Sequence, residues 1–281
     1  MKLTWFDANT WLIEAAGKRI LVDPWFVDDL IFGDLPWLVR GMKTDPAPIP
    51  SDIDLILLSQ GLADHAHPPT LKQLDKSIPV MASPDGAAVA ISLGFEKVTA
   101  LDHGDSAALA DGTLTVQTFI GAIVGMNKKE NAYVLTFDSA GNSNGTGSDG
   151  GSIDSANTGC TRLYYEPHGY PDTQHLKDLG RVDVVITPLT DITLMNVAPV
   201  VRGGKVAIQL AELLQPQVML PTAEAGKVTY DGLIAGAIRA SDGVNEVRSQ
   251  LAAKGVETQV IQPVSGKTVE LSLQLAMPVG K

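Results

Sequence analysis

Short apolar runs separated by turn residues dominate the chain, and their period changes along it. Residues 2–6, 10–15 and 18–22 (KLTWF, TWLIEA, KRILV) read as three short strands, with Asp7-Ala8-Asn9 and Ala16-Gly17 as turns. Leu55-Ile56-Leu57-Leu58 is apolar without alternation, the pattern of a strand buried on both faces. It breaks into a loop holding Asp64, His65 and His67. Pro68-Pro69 then opens a helical segment with Leu71 and Leu74 three apart. Residues 79–83 predict a strand, 86–93 a helix capped by Asp85 and ended by Gly94, and 97–101 another strand. Residues 113–125 and 132–137 are β-rich, with Asn127 to Asn131 turning between them. Residues 161–170 (TRLYYEPHGY) give a strand ended by Glu166-Pro167-His168-Gly169, and Asp172 opens a short helix. Residues 182–188 and 217–221 predict strands, and 205–214 a helix with Val206, Leu210 and Leu213 at helical spacing. Ser241 caps a helix closed by Gly255, and residues 256–264 and 268–275 finish as strands. Strand–helix alternation with β-meanders at both ends predicts a layered α/β fold.

Two stretches depart from this rhythm. Residues 25–41 (WFVDDLIFGDLPWLVRG) place large apolar side chains where Gly33, Pro36 and Gly41 mark a loop or broken helix. Trp25 and Trp37 lie in it, and Trp5 and Trp11 precede it, so all four tryptophans fall in the first 37 residues. Such a loop must bury against its own core, a partner subunit or a pocket it covers, with its own core as the default. Residues 138–159 are a low-complexity run of Gly, Ser, Asn and Asp with almost nothing apolar to bury. They predict a flexible loop inside a single domain spanning 1–281.

Composition narrows the function. At 281 residues and 44% hydrophobic, the chain can bury one large core. Lys+Arg 21 against Asp+Glu 32 gives a net charge of -11, which repels phosphate backbones and anionic membranes, so no nucleic-acid or membrane partner is expected. A small-molecule substrate or ligand is. Cys160 is the only cysteine, which excludes an intrachain disulfide and reads as packing. The opening residues carry no basic segment followed by an apolar core, and no stretch approaches the ~20 apolar residues of a membrane span. The expectation is a cytoplasmic protein.

Candidate chemistry lies at two strand ends. Asp64, His65 and His67 follow the buried 55–58 strand, where open α/β layers place their sites. Glu166 and His168 follow the strand at 161–165. The plainer reading stands beside each: a loop Asp is usually a turn or cap, a lone His usually surface or hydrogen-bonded, and Asp23 before Pro24 usually a turn-former.

KRILVDPWF, then LILLSQGLADHAHPPTL, a β-rich middle, and a strand ending in EPHG together resemble the metallo-β-lactamase superfamily, in particular its ascorbate-phosphate lactonase-like branch. The resemblance covers nearly the whole chain. It implies a four-layer αββα sandwich and a pair of zinc ions, held partly by an H-x-H-x-D-H motif after a buried strand. Laid on that motif, this chain reads Gln60, Gly61, Leu62, Ala63, Asp64, His65. The last two ligands match and the first two do not. No His occurs between His103 and His168, Glu166 and His168 stand where the family places a bridging Asp, and Pro221 to Glu224 contain no closing His. A two-metal centre is therefore not expected. What the resemblance leaves is one metal, zinc by preference, on Asp64, His65 and His168, with Asp64, Glu166 or His67 as catalytic groups.

Three readings follow. One is a single-metal hydrolase of a small ester, lactone or phosphoester. Another is a metal-free enzyme using Asp64 and His65 as an acid/base pair. The last is a non-catalytic binding protein that lost its metals and uses the pocket walled by the 25–41 loop. A hydrolase needs an open position facing a pocket. A binding module should have Asp64 and His65 tied up internally.

Overall fold

In the computed structural model, which describes residues 1–33, 35–124, 128–138, 159–194 and 198–274, the chain runs through two similar halves. The first contains β1 (Lys2–Trp5), β2 (Trp11–Ala15), β3 (Lys18–Val22), β4 (Leu30–Ile31), β5 (Arg40–Lys43), β6 (Leu55–Leu58), α1 (Pro68–Gln73), β7 (Val80–Ala82), α2 (Pro84–Ser92) and β8 (Val98–Ala100). The second begins with β9 (Ser106–Ala108), β10 (Leu114–Val124), β11 (Lys128–Asp138), β12 (Cys160–Tyr165), α3 (Thr173–Leu176), β13 (Val184–Ile186), β14 (Thr190–Leu194) and β15 (Ala198–Val201). It continues with α4 (Gly204–Leu214), β16 (Val218–Leu220), β17 (Val228–Asp231), β18 (Ile238–Asp242), α5 (Val244–Ala253), β19 (Gln259–Val260) and β20 (Thr268–Glu270).

Two seven-stranded sheets result, ordered β20-β1-β2-β3-β6-β7-β8 and β19-β16-β13-β12-β11-β10-β9. Each is antiparallel on one flank and parallel on the other: β3, β6, β7 and β8 run parallel, as do β12, β13, β16 and β19. The unbroken apolar run of β6 is explained by two different neighbours. Leu55 and Leu57 point into a core between the sheets, with Ile20 and Val22 of β3 and Leu163, Tyr165, Val184 and Ile186 of the other sheet. Ile56 and Leu58 point outward into a second core beneath Leu71 of α1 and Ala87 and Ala90 of α2. On the far side Tyr164, Val185 and Met219 pack under Leu210 and Leu214 of α4 and Val247 and Leu251 of α5. Helices, sheet, sheet, helices: this is the four-layer αββα sandwich. Each fully buried Leu or Ile contributes roughly 1.5–3 kcal/mol, so the three cores dominate stability.

Several local expectations are corrected. Ser83, not Asp85, caps α2, its Oγ accepting from the Gly86 amide at 3.2 Å. Ser241 lies in β18, and Gly243 is the cap of α5. Residues 128–131, expected in a turn, belong to β11, because pairing with β10 continues as far as Val124↔Lys128. The 139–158 part of the low-complexity run lies outside the described residues. Its flanks pair as neighbours, Asp138 with Cys160, so the run joins adjacent strands of one sheet. No helix among the described residues is long and apolar enough to cross a membrane.

Two satellite sheets complete the molecule: β17-β5-β4 and β15-β14-β18. The first takes β4 and the start of β5 from the 25–41 stretch. Trp25 is fully buried with its indole N–H donating to the Asp28 carbonyl at 3.0 Å, whereas Trp37 is 61% exposed.

Candidate metal centre

The carboxyl ends of the parallel strands converge between the two sheets. After β3, Asp23 takes a left-handed backbone (φ +43°), a conformation Asp tolerates, and is fully buried. Its Oδ1 accepts from the Ser59 amide at 2.8 Å. Its Oδ2 accepts from Ser59 Oγ at 2.6 Å and from the Tyr165 hydroxyl of the opposite sheet at 2.7 Å. The same Oδ2 lies 2.8 Å from His65 Nδ1. Held there, His65 turns its Nε2 to within 3.1 Å of Asp64 Oδ2 and 3.4 Å of Asn9 Nδ2.

The second sheet supplies the matching half. Past β12, Glu166 is fully buried and folds back on its own loop: Oε1 accepts from the His168 amide at 3.0 Å and Oε2 from the Gly169 amide at 2.6 Å. That turn aims the His168 ring at His65, with ring centroids 5.0 Å apart. Its Nδ1 lies 2.5 Å from Oε2 of Glu130, a fully buried residue of β11. One ligand-type atom each of Asp64, His65 and His168 lies within 4.8 Å of the others.

The electrostatics of this cluster call for positive charge. Four buried or largely buried carboxylates (Asp23, Asp64, Glu130, Glu166) surround two imidazoles. Burial opposes a charged His65, yet Asp64 and Asp23 beside it hold it well above the ordinary imidazole value. Burial likewise opposes charge on His168, and Glu130 raises it. Asp64 is held below the usual carboxylate range by His65 and His168 in spite of its burial. Burial and the Glu130 charge push Glu166 up to about 7, against the backbone amides that favour its ionised form. Asp64 Oδ1 is buried and has no hydrogen-bond partner. A divalent cation answers both features, since it neutralises the excess charge and gives that oxygen a partner. The residues present fit such an ion: two nitrogens and one oxygen suit zinc and its neighbours, and each His is oriented by a carboxylate behind it.

A cavity of about 570 Å³ opens onto Asp64 and His168. Its walls come from the satellite sheets, with Leu30, Phe32 and Val39 on one side and Ile192 and Ile238 on the other. Of the 25–41 stretch, no tryptophan is among the lining residues.

Of the residues singled out from sequence, Asp64, His65 and His168 therefore meet. His67 does not join them. It sits at the N-terminus of α1 with Nδ1 3.1 Å from Thr70 Oγ1 and Nε2 3.4 Å from the Asp29 carbonyl. Burial lowers its pKa, and it sits at the helix end, off the cavity lining. Glu166 also stays off the cavity and positions the His168 loop. Asp23, Glu130, Asn9 and Tyr165 escaped sequence reasoning as parts of the site. Asp23 carried a usable signal, a carboxylate ending an apolar parallel strand. Glu130 carried none, because KKENA reads as a polar turn.

Residues 2–223 match the family model described as the beta-lactamase superfamily domain. The chain belongs to the metallo-β-lactamase superfamily. A UPF0173 metal-dependent hydrolase of Halobacterium salinarum is 31% identical over 118 residues, 41% of this chain and 42% of that relative, so the match spans less than half of either. Among solved structures, an isothiocyanate hydrolase from Delia radicum gut bacteria superposes with a TM-score of 0.64 at 17% identity, covering 98% of this chain and 100% of that one. Igni18, a metallo hydrolase from Ignicoccus hospitalis, gives 0.65 at 16% identity, over 96% of this chain and 99% of that one. CmlA, a diiron β-hydroxylase from Streptomyces venezuelae, gives 0.61 at 13% identity, over 96% of this chain and 54% of that one. At these identities the likeness shows the fold, and the fold alone does not choose the reaction.

Within the superfamily motif, Gln60 takes the first ligand position. Its Nε2 donates to Glu130 Oε2 at 2.7 Å, so a buried amide–carboxylate contact stands where the family binds a metal. At Leu62 it is the backbone that matters, its carbonyl accepting from the His65 and Ala66 amides. Glu224, near the closing position, accepts from Gln262 Nε2 at 2.8 Å and Thr190 Oγ1 at 3.3 Å.

Proposed function

We propose that this chain is a metal-dependent hydrolase that holds one divalent ion, zinc by preference, through Asp64, His65 and His168, and splits a small ester, lactone or phosphoester in the cavity above them. One observation carries the reading. Each imidazole has its Nδ1 against a buried carboxylate, Asp23 or Glu130, which leaves its other ring nitrogen for a ligand beside Asp64. The name metal-dependent hydrolase borne by the halophile relative supports the same reading. Such an ion supplies Lewis acidity, polarising the bond to be split and acidifying a water. The chain's own residues do the rest. Asp23, with Ser59 and Tyr165, fixes the His65 ring, and Glu166 fixes the loop that presents His168. Asp64 lines the cavity floor, and its carboxylate oxygen not engaged by the ion is the one placed to take a proton from water and return it to the leaving group.

A ligand-binding protein without metal is the second reading, favoured by the contacts that already engage His65 Nε2 with Asp64 and Asn9. Metal analysis separates the two. Protein purified without a histidine tag or chelator is expected to carry about one zinc, iron or manganese per chain, lost in an Asp64→Ala/His65→Ala double variant. No metal in either protein, with stability unchanged by added zinc, would remove the hydrolase reading.

A further inference from the structure

The cavity walls narrow the substrate class, on the footing of the hydrolase reading above. Among the described residues that line the cavity there is no lysine or arginine, and beyond the Asp64 and His168 floor the only charged one is Glu224. Three basic residues of the neighbouring segments, Arg40, Lys43 and Arg202, are engaged elsewhere. Arg40 lies 3.6 Å from both Asp29 and Asp231, Lys43 donates to Asp7 at 3.2 Å, and Arg202 stacks 4.4 Å over Tyr170. None of the three lines the cavity. The walls are instead aliphatic and aromatic: Leu30, Phe32, Val39, Ile192, Ile234 and Ile238.

Strand periodicity makes this a built surface. Thr190 and Ile192 are two apart on β14 and Ile238 and Ala240 two apart on β18, with Ile192 directly opposite Ala240, and Thr193 joins them at the irregularity that follows Ile192. An apolar face of a satellite sheet, which bears on none of the three cores between and outside the main sheets, is thus turned into the cavity. At about 570 Å³ the space is in the range that encloses a whole drug-sized ligand.

We infer that the cavity selects an uncharged ester or lactone with an apolar acyl or alkyl body, and rejects phosphoesters. A phosphoester brings charge that an ion on the floor can meet only in part, while the walls offer it hydrocarbon, the Glu224 carboxylate and, as polar side chains, only the uncharged Asn9, Thr190, Thr193 and Tyr230. The apolar body of a neutral ester is removed from water along the walls, with its reacting carbonyl at the floor. Hydrolysis then balances without a redox partner. The water oxygen bonds to the acyl carbon, the acyl–oxygen bond breaks, and the water proton passes through Asp64 to the departing alkoxide.

The test has two arms. In the first, p-nitrophenyl esters from acetate to hexanoate are compared with p-nitrophenyl phosphate on metal-loaded protein. kcat/KM is expected to rise about fourfold per added methylene, with the phosphate slower than every ester. In the second, the uncharged fluorophore N-phenyl-1-naphthylamine is titrated against the wild type, Ile192→Asp and the milder Ile234→Thr. Binding is expected to weaken about tenfold or more in the first variant and less in the second, and to persist in the Asp64→Ala/His65→Ala protein. Faster turnover of the phosphate, a flat ester series, or probe binding indifferent to both variants would overturn the inference and leave the hydrolase reading intact. Probe binding lost in the variants, without turnover of any compound, would overturn the hydrolase reading and keep the cavity as a site for neutral apolar ligands.

Discussion

The two strand exits that face each other across the site, Ser59–His67 after β6 and Glu166–Gly169 after β12, solve the same problem with different residues. Each presents a histidine whose Nδ1 meets a buried carboxylate from a neighbouring strand end or strand: Asp23 after β3 for His65, Glu130 on β11 for His168. They differ in what the carboxylate of the exit itself does. Asp64 faces the cavity and keeps one oxygen unpartnered, while both oxygens of Glu166 accept from amides of their own loop. Residue type alone therefore does not separate an acid left open to a ligand from a structural one. What separates them is whether the backbone satisfies the carboxylate before a ligand can.

The largest expected effect lies behind His65. Asp23→Ala removes the acceptor for Ser59, Tyr165 and His65 together inside a fully buried site, and should cost roughly 3–5 kcal/mol by urea denaturation. If the loss stays below about 1 kcal/mol, the network there is not what holds the exit. Glu130→Gln tests the matching support. It keeps the shape but withdraws the charge behind His168, and should lower zinc affinity about 10–100-fold in a competition titration. Unchanged affinity would break the parallel between the two histidines.

A smaller effect is expected from pH. Folding moves Glu166 from an ordinary 4.5 up to about 7. The folded state then binds that proton more tightly, so this group's contribution to stability is complete below about pH 4.5 and is lost as pH rises through about 7. In chelator-treated protein, Glu166→Gln should flatten the fall in melting temperature across that window, and an identical slope in both proteins would contradict it. Least of all should change in Gln60→His/Leu62→His. Restoring the two motif histidines is expected to leave metal content at its wild-type value, because Glu130 lies against the first position and no histidine occurs between His103 and His168 to complete the site. A second equivalent of metal would show that the vanished site needs only those two side chains.

Most of the architecture was legible from pattern because the physics behind it is local. The doubly buried run Leu55–Leu58 and the helical spacing of Leu210 and Leu213 mark positions between two cores and beneath a helix layer. The sandwich order itself came from the family likeness of DPWF, DHAHPP and EPHG. Asp64, His65 and His168 were legible as chemistry, but their meeting was not, since it depends on two sheets packing with Tyr165 reaching Asp23. His67 looked like their equal because sequence cannot show which way a ring turns at the start of a helix. Glu130 was hidden by polar neighbours: a strand that leaves the sheet's protected centre looks like a turn until its partner strand is known.

The contrast between Trp37 and the other three tryptophans has an optical consequence. Trp5, Trp11 and Trp25 are buried, whereas Trp37 is 61% exposed and two residues from Val39 of the cavity wall. A water-soluble quencher should therefore meet Trp37 first, and its emission should be the reddest of the four. The intact, unlabelled chain thus carries a fluorescent reporter beside the cavity wall, set apart in colour from the tryptophans of the core.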